Sequence, residues 1–226
     1  MIQWVHRSTR GWSYGGSVVD PRTGEIIKGH VSLGSLRIRQ DFLIAQALQA
    51  PYVDNDLDDD FAIQMALARI RQLSAHEVGH TLGFTHNFAA STKNRSSVMD
   101  YPHPYIKLNN GEIDLSQAYD TGIGDWDKVT VAYSYQDFPK NVNEENELNK
   151  IIQNSIDKGM KFIADSDARS QGGAHIYAHL WDNGKNPAQE LERILKVRAT
   201  AISNFSEKNI GKNEPYTVLE DVFVPL

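Results

Sequence analysis

The stretch HEVGHTLGFTH, residues 76–86, places three histidines, a glutamate and a glycine at fixed offsets within eleven residues. On a helix, His76 and His80 project from the same face with Cβ atoms about 5–6 Å apart, so that both imidazoles can bind one metal ion. Glu77 points about 100° further round the helix. A general base that activates a water molecule beside the ion belongs at that position.

Gly83 and His86 extend this pattern beyond the helix. Glycine tolerates the backbone conformation with which a chain leaves a helix sharply, and the turn then brings His86 round as a third ligand. Three neutral nitrogens leave a fourth position open, as in a catalytic zinc site. From the composition of the chain, these five residues at this spacing arise by chance on the order of 10⁻⁵ to 10⁻⁴ times per chain, so three ordinary histidines are the weaker interpretation.

Composition excludes several classes of function. The 226 residues, 40% hydrophobic and 23% charged, suffice for one substantial core. The chain has no cysteine, which excludes disulfides, thiolate zinc ligands and a cysteine nucleophile. The net charge of -6 without a Lys/Arg cluster argues against nucleic acid as a partner. No apolar run approaches the roughly 18 residues of a membrane helix, and we see no signal peptide, so we expect a soluble chain without membrane insertion.

Periodicity predicts a hairpin followed by helices. Residues 17–32 predict a β-hairpin, because Pro21 and Gly24 mark a turn between two β-rich runs. Apolar spacing predicts helices over residues 35–48, 61–83, 124–135, 143–159 and 186–205, the third with Asp125 as its N-cap. Residues 54–60, DNDLDDD, resemble a calcium loop. That loop would need a glycine at its sixth position and an acidic ligand in place of Met65, so an acidic lead-in to the following helix is preferred.

A second motif lies downstream at residues 97–102, SVMDYP. Met99, thirteen residues after His86, would supply a soft apolar floor beneath the histidines without binding the metal. Together, HEVGHTLGFTH and SVMDY resemble the metzincin clan of zinc endopeptidases, with its elongated zinc motif and Met-turn. Within that clan the chain is similar to the bacterial Met-zincin domain family. The similarity extends through GWSYGGSVVDPRTGEI (11–26), LGSLRIRQDFL (33–43), SVMDYPHP (97–104) and GIGDWDKV (122–129), and so covers most of the chain.

The resemblance implies an α+β, zincin-like (metzincin) catalytic domain with few strands, a long zinc-binding helix and a mainly helical C-terminal half. We expect residues 1–226 to form a single domain, with an N-terminal subdomain 1–86 and a C-terminal subdomain 87–226. Members of the clan have a larger sheet before the zinc helix. The chain is therefore expected to be a fragment of a longer protein.

The resemblance also assigns roles to site residues. His76, His80 and His86 would bind one catalytic Zn²⁺, and Glu77 would act as general base and acid. Gly83 and Met99 would be structural. Tyr101 matches a tyrosine that ligates zinc or stabilises the transition state in some clan members. The alternative interpretation is that Tyr101 is a buried tyrosine in a turn, without a role in the reaction.

The expected function is that of a zinc metalloendopeptidase, exported to the periplasm, cell surface or medium of a bacterium, with peptides or proteins as partners. The rivals are a zinc hydrolase of small amides or modified peptides, and a binding module that retains zinc for its fold. The strand at residues 29–33 is expected to be the edge along which substrate lies. His30 and His103 are candidates to flank the cleft, whereas His175 and His179 are interpreted as ordinary packing or surface histidines.

Overall fold

The strands lie in the N-terminal part of the chain and around residue 110, and helices make up most of the rest. The computed structural model describes residues 1–6, 12–50, 52–53, 56–57 and 60–226. Their strands are β1 (Ile2–Val5), β2 (Tyr14–Val19), β3 (Ile26–Gly34), β4 (Tyr52–Val53), β5 (Asp56–Leu57), β6 (Lys107–Asn109) and β7 (Glu112–Asp114). The helices are α1 (Leu36–Gln49), α2 (Asp60–Thr81), α3 (Asp125–Tyr135), α4 (Glu144–Asp157), α5 (Asp165–Ala168), α6 (Pro187–Asn204) and α7 (Val218–Phe223), with 3₁₀ turns at Ala90–Lys93 and Glu207–Asn209. The α+β class with few strands and a mainly helical C-terminal half is confirmed.

The predicted hairpin is formed by β2 and β3. The chain reverses at residues 20–25, where Gly24 has a φ of 78° and its N–H donates to the Asp20 carbonyl at 2.9 Å. β3 also pairs in parallel with β1, from Ile2 opposite Val31 to Val5 opposite Gly34. The strand order β1-β3-β2 therefore places β3 in the centre of the sheet. Residues 29–33 are not an edge strand, and the two edges of this sheet are β1 and β2.

The long helix α2 packs against the sheet and against α1. Its buried side includes Ala62 and Met65, which join Ala45 and Leu48 of α1 in the main core. Val197 of α6 closes this core from the C-terminal half. Glycines allow the closest approaches, since a Cβ on Gly15 of β2 would overlap the backbone carbonyl of Glu77. Because residue 15 is a glycine, the edge strand β2 can lie directly over the turns of α2 that carry the HEVGH sequence, residues 76–80.

The predicted helices are present, with two local differences. Gly124, not Asp125, is the N-cap of α3. A side chain is excluded at this position, since a Cβ on residue 124 would overlap the Ser96 carbonyl. The segment between the second and third predicted helices, for which no element was predicted, contains a 3₁₀ turn and the strand β6. Of the acidic stretch 54–60, residues 54, 55, 58 and 59 lie outside the described part of the chain, and Asp60 begins α2. No helix among the described residues is both long enough and apolar enough to cross a membrane.

Candidate metal centre

The three histidines of the motif converge at the C-terminal end of α2. His76 and His80 lie on consecutive turns of the helix with Nε2 atoms 3.1 Å apart. Gly83 has a φ of 87°, the left-handed conformation in which the chain leaves the helix, and the following turn places the His86 ring centroid 4.8 Å from that of His80. One nitrogen from each ring lies within 4.8 Å of the others. In the described part of the chain, this is the cluster that can hold a metal ion.

Each ring is oriented through its Nδ1 atom. Nδ1 of His76 lies 2.7 Å from the Val98 carbonyl oxygen, and Nδ1 of His80 lies 2.8 Å from that of Phe84. Nδ1 of His86 lies 2.8 Å from a carboxylate oxygen of Asp165. Because these oxygens only accept hydrogen bonds, Nδ1 carries a proton, and in a neutral imidazole this leaves Nε2 with a free lone pair. This is the tautomer in which imidazole binds a metal.

The free Nε2 atoms provide a test of whether a metal fits. The Nε2 atom of His86 is buried and has no hydrogen-bond partner, although buried polar atoms are normally satisfied. The facing Nε2 atoms of His76 and His80 have no proton to share between them. Two ligands of a tetrahedral zinc ion, each about 2.0–2.1 Å from it, are about 3.3–3.4 Å apart, close to the observed spacing. A divalent cation would satisfy all three nitrogens.

Burial lowers the pKa values of two of the three histidines. Burial, followed by the neighbouring His80 and His86, lowers the pKa of His76 to about 3 despite its hydrogen bond to Val98. Burial also lowers the pKa of His80. Both imidazoles are therefore neutral at physiological pH, which is the state that a metal requires.

Glu77 lies beside the cluster and faces the cleft under β2. Burial raises the pKa of Glu77 to about 7, while a hydrogen bond from the Gly15 amide and the charge of Arg69 act in the opposite direction. A carboxyl group whose pKa lies near neutrality can both accept and return a proton. Its placement is suited to general acid–base chemistry.

Met99 and Tyr101 approach the cluster from the 97–102 turn. Met99 is buried, and its sulfur packs against Gly79 so closely that a Cβ there would overlap it. The Tyr101 ring lies 4.6 Å from that of His86 and stacks on Trp181 at 5.4 Å. Tyr101 is half-buried and lines the cleft beside the histidines.

The cleft that contains the site has a volume of about 750 Å³. Its lining includes Tyr14 and Gly15 of β2, the three histidines, Phe84 and Trp181. Trp12, which also lines it, is 79% exposed. A cleft of this volume that is open to solvent has room for a segment of a polypeptide chain.

Other histidines lie apart from this site. Neither His30 nor His103 lines the cleft. His175 and His179 are not on a helix, so their spacing does not align them on one face, and Nε2 of His179 is 3.2 Å from the Ile176 carbonyl oxygen. Neither belongs to the metal-binding cluster found among the described residues.

The structure adds residues that the motif does not reveal. Asp165 lies 79 positions after His86, and Val98 and Phe84 contribute backbone carbonyls, which leave no trace in side-chain patterns. Trp181 has a φ of 60°, a left-handed conformation that is strained for a bulky residue, and stacks on Tyr101. Its N–H donates to the Tyr101 carbonyl at 2.9 Å.

The sequence profile of the Met-zincin family matches residues 58–226. The chain belongs to the Met-zincin family. The matched region contains all three histidines, Glu77 and the Met99 turn, so the metzincin resemblance is confirmed at the level of the family. Comparison with curated proteins and with solved structures gave no match. The family assignment supports a zinc metalloprotease-like domain.

Proposed function

We propose that this Met-zincin protein is a zinc-dependent endopeptidase. The observation that carries the proposal is the joint placement of three imidazole Nε2 atoms and the Glu77 carboxyl in one cleft. His76, His80 and His86 would hold the ion. Zinc bound there would supply Lewis-acid chemistry, polarising a peptide carbonyl and acidifying a water molecule.

Glu77 would move the proton. Its carboxylate would accept a proton from the attacking water, and the resulting carboxylic acid would return it to the nitrogen of the leaving amine. The positive charge of bound zinc would lower the pKa of Glu77 below the value of about 7 that burial gives it, so the carboxylate that accepts the first proton would be the resting form. The Gly15 N–H, which hydrogen-bonds the carboxylate, would orient it.

Tyr101 would stabilise the transition state. Burial raises the pKa of its hydroxyl, so the group stays protonated and can donate a hydrogen bond to a developing oxyanion. Direct binding of the phenol oxygen to the metal is the alternative role. Both roles follow from the proximity of the Tyr101 ring to those of His76 and His86.

The substrate would be an extended peptide lying beneath β2. The open cleft favours a polypeptide over the small amides expected of a closed pocket. A base next to the ligands is not needed in a purely structural zinc site, which argues against a binding module. We also propose, from the usual export of such proteases, that the protein acts outside the bacterial cytoplasm.

The test is cleavage of a diverse peptide mixture by the zinc-loaded protein, read by mass spectrometry beside a Glu77→Gln variant. Glu77→Gln should keep stoichiometric zinc and lose at least about 10³-fold in kcat, because the proton acceptor is gone while the ligands remain. His80→Ala should lose the metal. In the same assay, Tyr101→Phe should lower kcat, and an unchanged kcat would exclude its hydroxyl from the reaction. Equal cleavage by wild type and Glu77→Gln would overturn the proposal.

A further inference from the structure

Arg69 is a buried cation in the wall of the cleft. Its residue exposure is 4%, and it lies on α2 in the same cavity as Glu77 and Trp181. Its guanidinium carbon lies 5.4 Å from the centroid of the Tyr119 ring, and its Nη1 donates to the amide oxygen of Gln72. Among the described residues it forms no ion pair. Burying a charge that has no ion-pair partner is costly, so we expect the Arg69 guanidinium to bind an anion.

The nearest carboxylate on that side of the cleft is already engaged. Asp41 is fully buried and pairs with Arg37, whose Nε lies 2.7 Å from one oxygen and whose Nη2 lies 3.1 Å from the other. Asp41 also accepts a 2.6 Å hydrogen bond from Tyr119. Arg37 thus takes both oxygens of Asp41, and Arg69 keeps only longer-range electrostatic interactions with Asp41 and Glu77.

Nη2 of Arg69 is the donor that a ligand in the cleft can reach. Nε has almost no accessible surface and no hydrogen-bond partner, and no described residue accepts from Nη2. A guanidinium N–H donates a charge-assisted hydrogen bond to a carboxylate oxygen, which is stronger than its hydrogen bond to a neutral amide or a water molecule.

Arg69 lies at a defined distance from the histidines at which the scissile bond would lie. Arg69 precedes His76 by seven residues on α2, about 10 Å along the helix axis. Roughly three residues of extended peptide span that distance. A carboxylate carried by a substrate within about three residues of the scissile bond would therefore reach Arg69 while the bond lies at the histidines.

We propose that Arg69 forms a carboxylate-binding subsite that selects acidic substrates. The inference rests on the proposed peptidase function. The carboxylate is either an Asp or Glu side chain at a fixed position relative to the cut, or the C-terminal carboxylate of a peptide cut near its end. Either source would supply the anion that the buried guanidinium lacks.

The test compares kcat/KM for matched peptides that differ only by Glu or Gln at each position flanking the cut, with amidated C-termini. The zinc-loaded wild type should prefer Glu at one position by about tenfold to a hundredfold, as expected for a desolvated charge-assisted pair. Arg69→Met should reduce the Glu:Gln ratio to about one, and Arg69→Lys should give an intermediate ratio. Arg71→Met is the matched control, because Arg71 is exposed on the same helix and outside the cleft. It should keep the ratio.

The C-terminal source is tested with neutral peptides that end in either a free carboxylate or an amide one to three residues beyond the cut. A preference for the free acid that disappears in Arg69→Met would assign the subsite to chain termini. Loss of folding is monitored by thermal unfolding, and a general structural defect would lower cleavage of both peptides without changing their ratio. If Arg69→Met does not fold, the ratio in Arg69→Lys decides.

Failure of the subsite and failure of the peptidase proposal give different results. Equal cleavage of Glu and Gln peptides and of acid and amide peptides would refute the subsite and leave the peptidase intact. If no peptide is cleaved, the subsite is tested by binding. The zinc-loaded Glu77→Gln protein should bind the Glu peptide or the free-acid peptide at least about tenfold more tightly than its neutral counterpart, and Arg69→Met should abolish the difference. Equal affinities would overturn the inference.

Discussion

At the scale of single residues, three different parts of the chain orient the three imidazoles. The carbonyls of Val98 and Phe84 hold two of them, whereas the third depends on the Asp165 side chain. Backbone carbonyls cannot be removed by substitution, but a carboxylate can. Asp165 is therefore the accessible probe of how strongly the orientation of a ligand affects metal binding.

We expect Asp165→Ala to weaken zinc binding about tenfold. The lost hydrogen bond would free the His86 ring to rotate and to exchange its tautomer, and outer partners of this kind are worth about 10–100-fold in affinity. The lower value applies because the Asp165 side chain is 58% exposed, where solvent screens its charge. Zinc affinity is measured by competition with a chelator.

Asp167→Ala is the control for this substitution, because Asp167 lies in the same short helix and is exposed without contacting the cluster. Asp165→Asn, which keeps an acceptor oxygen for Nδ1, should lose less affinity than Asp165→Ala. Equal affinities for wild type and Asp165→Ala would mean that the ring is held in place by packing alone.

At the scale of elements, the site depends on how closely β2 crosses α2. Gly15 lies directly over the backbone of Glu77, whereas its neighbour Gly16 has no atom within 4 Å of where a Cβ would be. Neither glycine has a positive φ, so alanine costs little in backbone conformation at either position. Alanine substitutions at Gly15 and Gly16 can therefore be compared to separate the effect of close packing against α2 from the effect of replacing a glycine in the strand.

Gly15→Ala should destabilise the protein by about 1–3 kcal/mol and reduce peptide cleavage, because the new Cβ forces β2 away from α2 and its amide away from the Glu77 carboxylate. Gly16→Ala should change neither property appreciably. Urea unfolding and kcat/KM report the two effects. A Gly15→Ala variant as stable and active as Gly16→Ala would show that the contact between β2 and α2 is looser than its glycine implies.

Elements differ in how much of them the sequence can predict. The ligand-bearing helix was predictable because His76, His80, Glu77 and Gly83 act through local offsets of a 3.6-residue period. β1 was missed because it pairs with residues 31–34, nearly 30 positions later, and a four-residue run with exposed side chains has no local signal. The same long-range pairing explains the wrong edge strand, since a hairpin pattern does not tell which of its strands another segment covers.

The candidate site also has a part that the sequence predicts and a part that it does not. The three histidines and Glu77 were visible as a motif, and the roles of Met99 and Tyr101 came from the resemblance to metzincins. Asp165 and Arg69 were not found, because their roles depend on which surfaces of distant segments meet. An arginine in a helical run has the pattern of an exposed residue until packing shows that it is buried.

At the scale of the whole molecule, the site is assembled and enclosed by both halves of the chain. α2 supplies two imidazoles from the N-terminal half, and Val98 and Asp165 orient rings from the C-terminal half. Beneath Tyr101, a cluster that includes Phe88, Ile163 and Ala168 packs the site from below. Burial by all these elements is the main cause of the lowered pKa values of His76 and His80.

This enclosure predicts how zinc binding depends on pH. Protons compete with the metal for an imidazole only below its pKa in the folded protein, so a lowered pKa extends zinc binding to lower pH. Three imidazoles with an ordinary pKa near 6.5 would lose about a thousandfold in affinity between pH 7.5 and 5.5. His76, with a pKa of about 3, should contribute almost nothing to such a loss, and His80, whose pKa is lowered by burial, should contribute less than an ordinary imidazole.

We therefore expect zinc affinity to fall by no more than about a hundredfold over this range, because His76 drops out of the competition with protons. The measurement is chelator competition at pH 7.5 and pH 5.5, with the chelator's own protonation corrected. Thermal unfolding with and without zinc at both pH values provides an independent reading, because a ligand that binds only the folded state raises its stability by RT ln(1 + [L]/Kd). A loss approaching a thousandfold would mean that the rings titrate as free imidazoles, and that the two halves of the chain do not shield the metal centre from water.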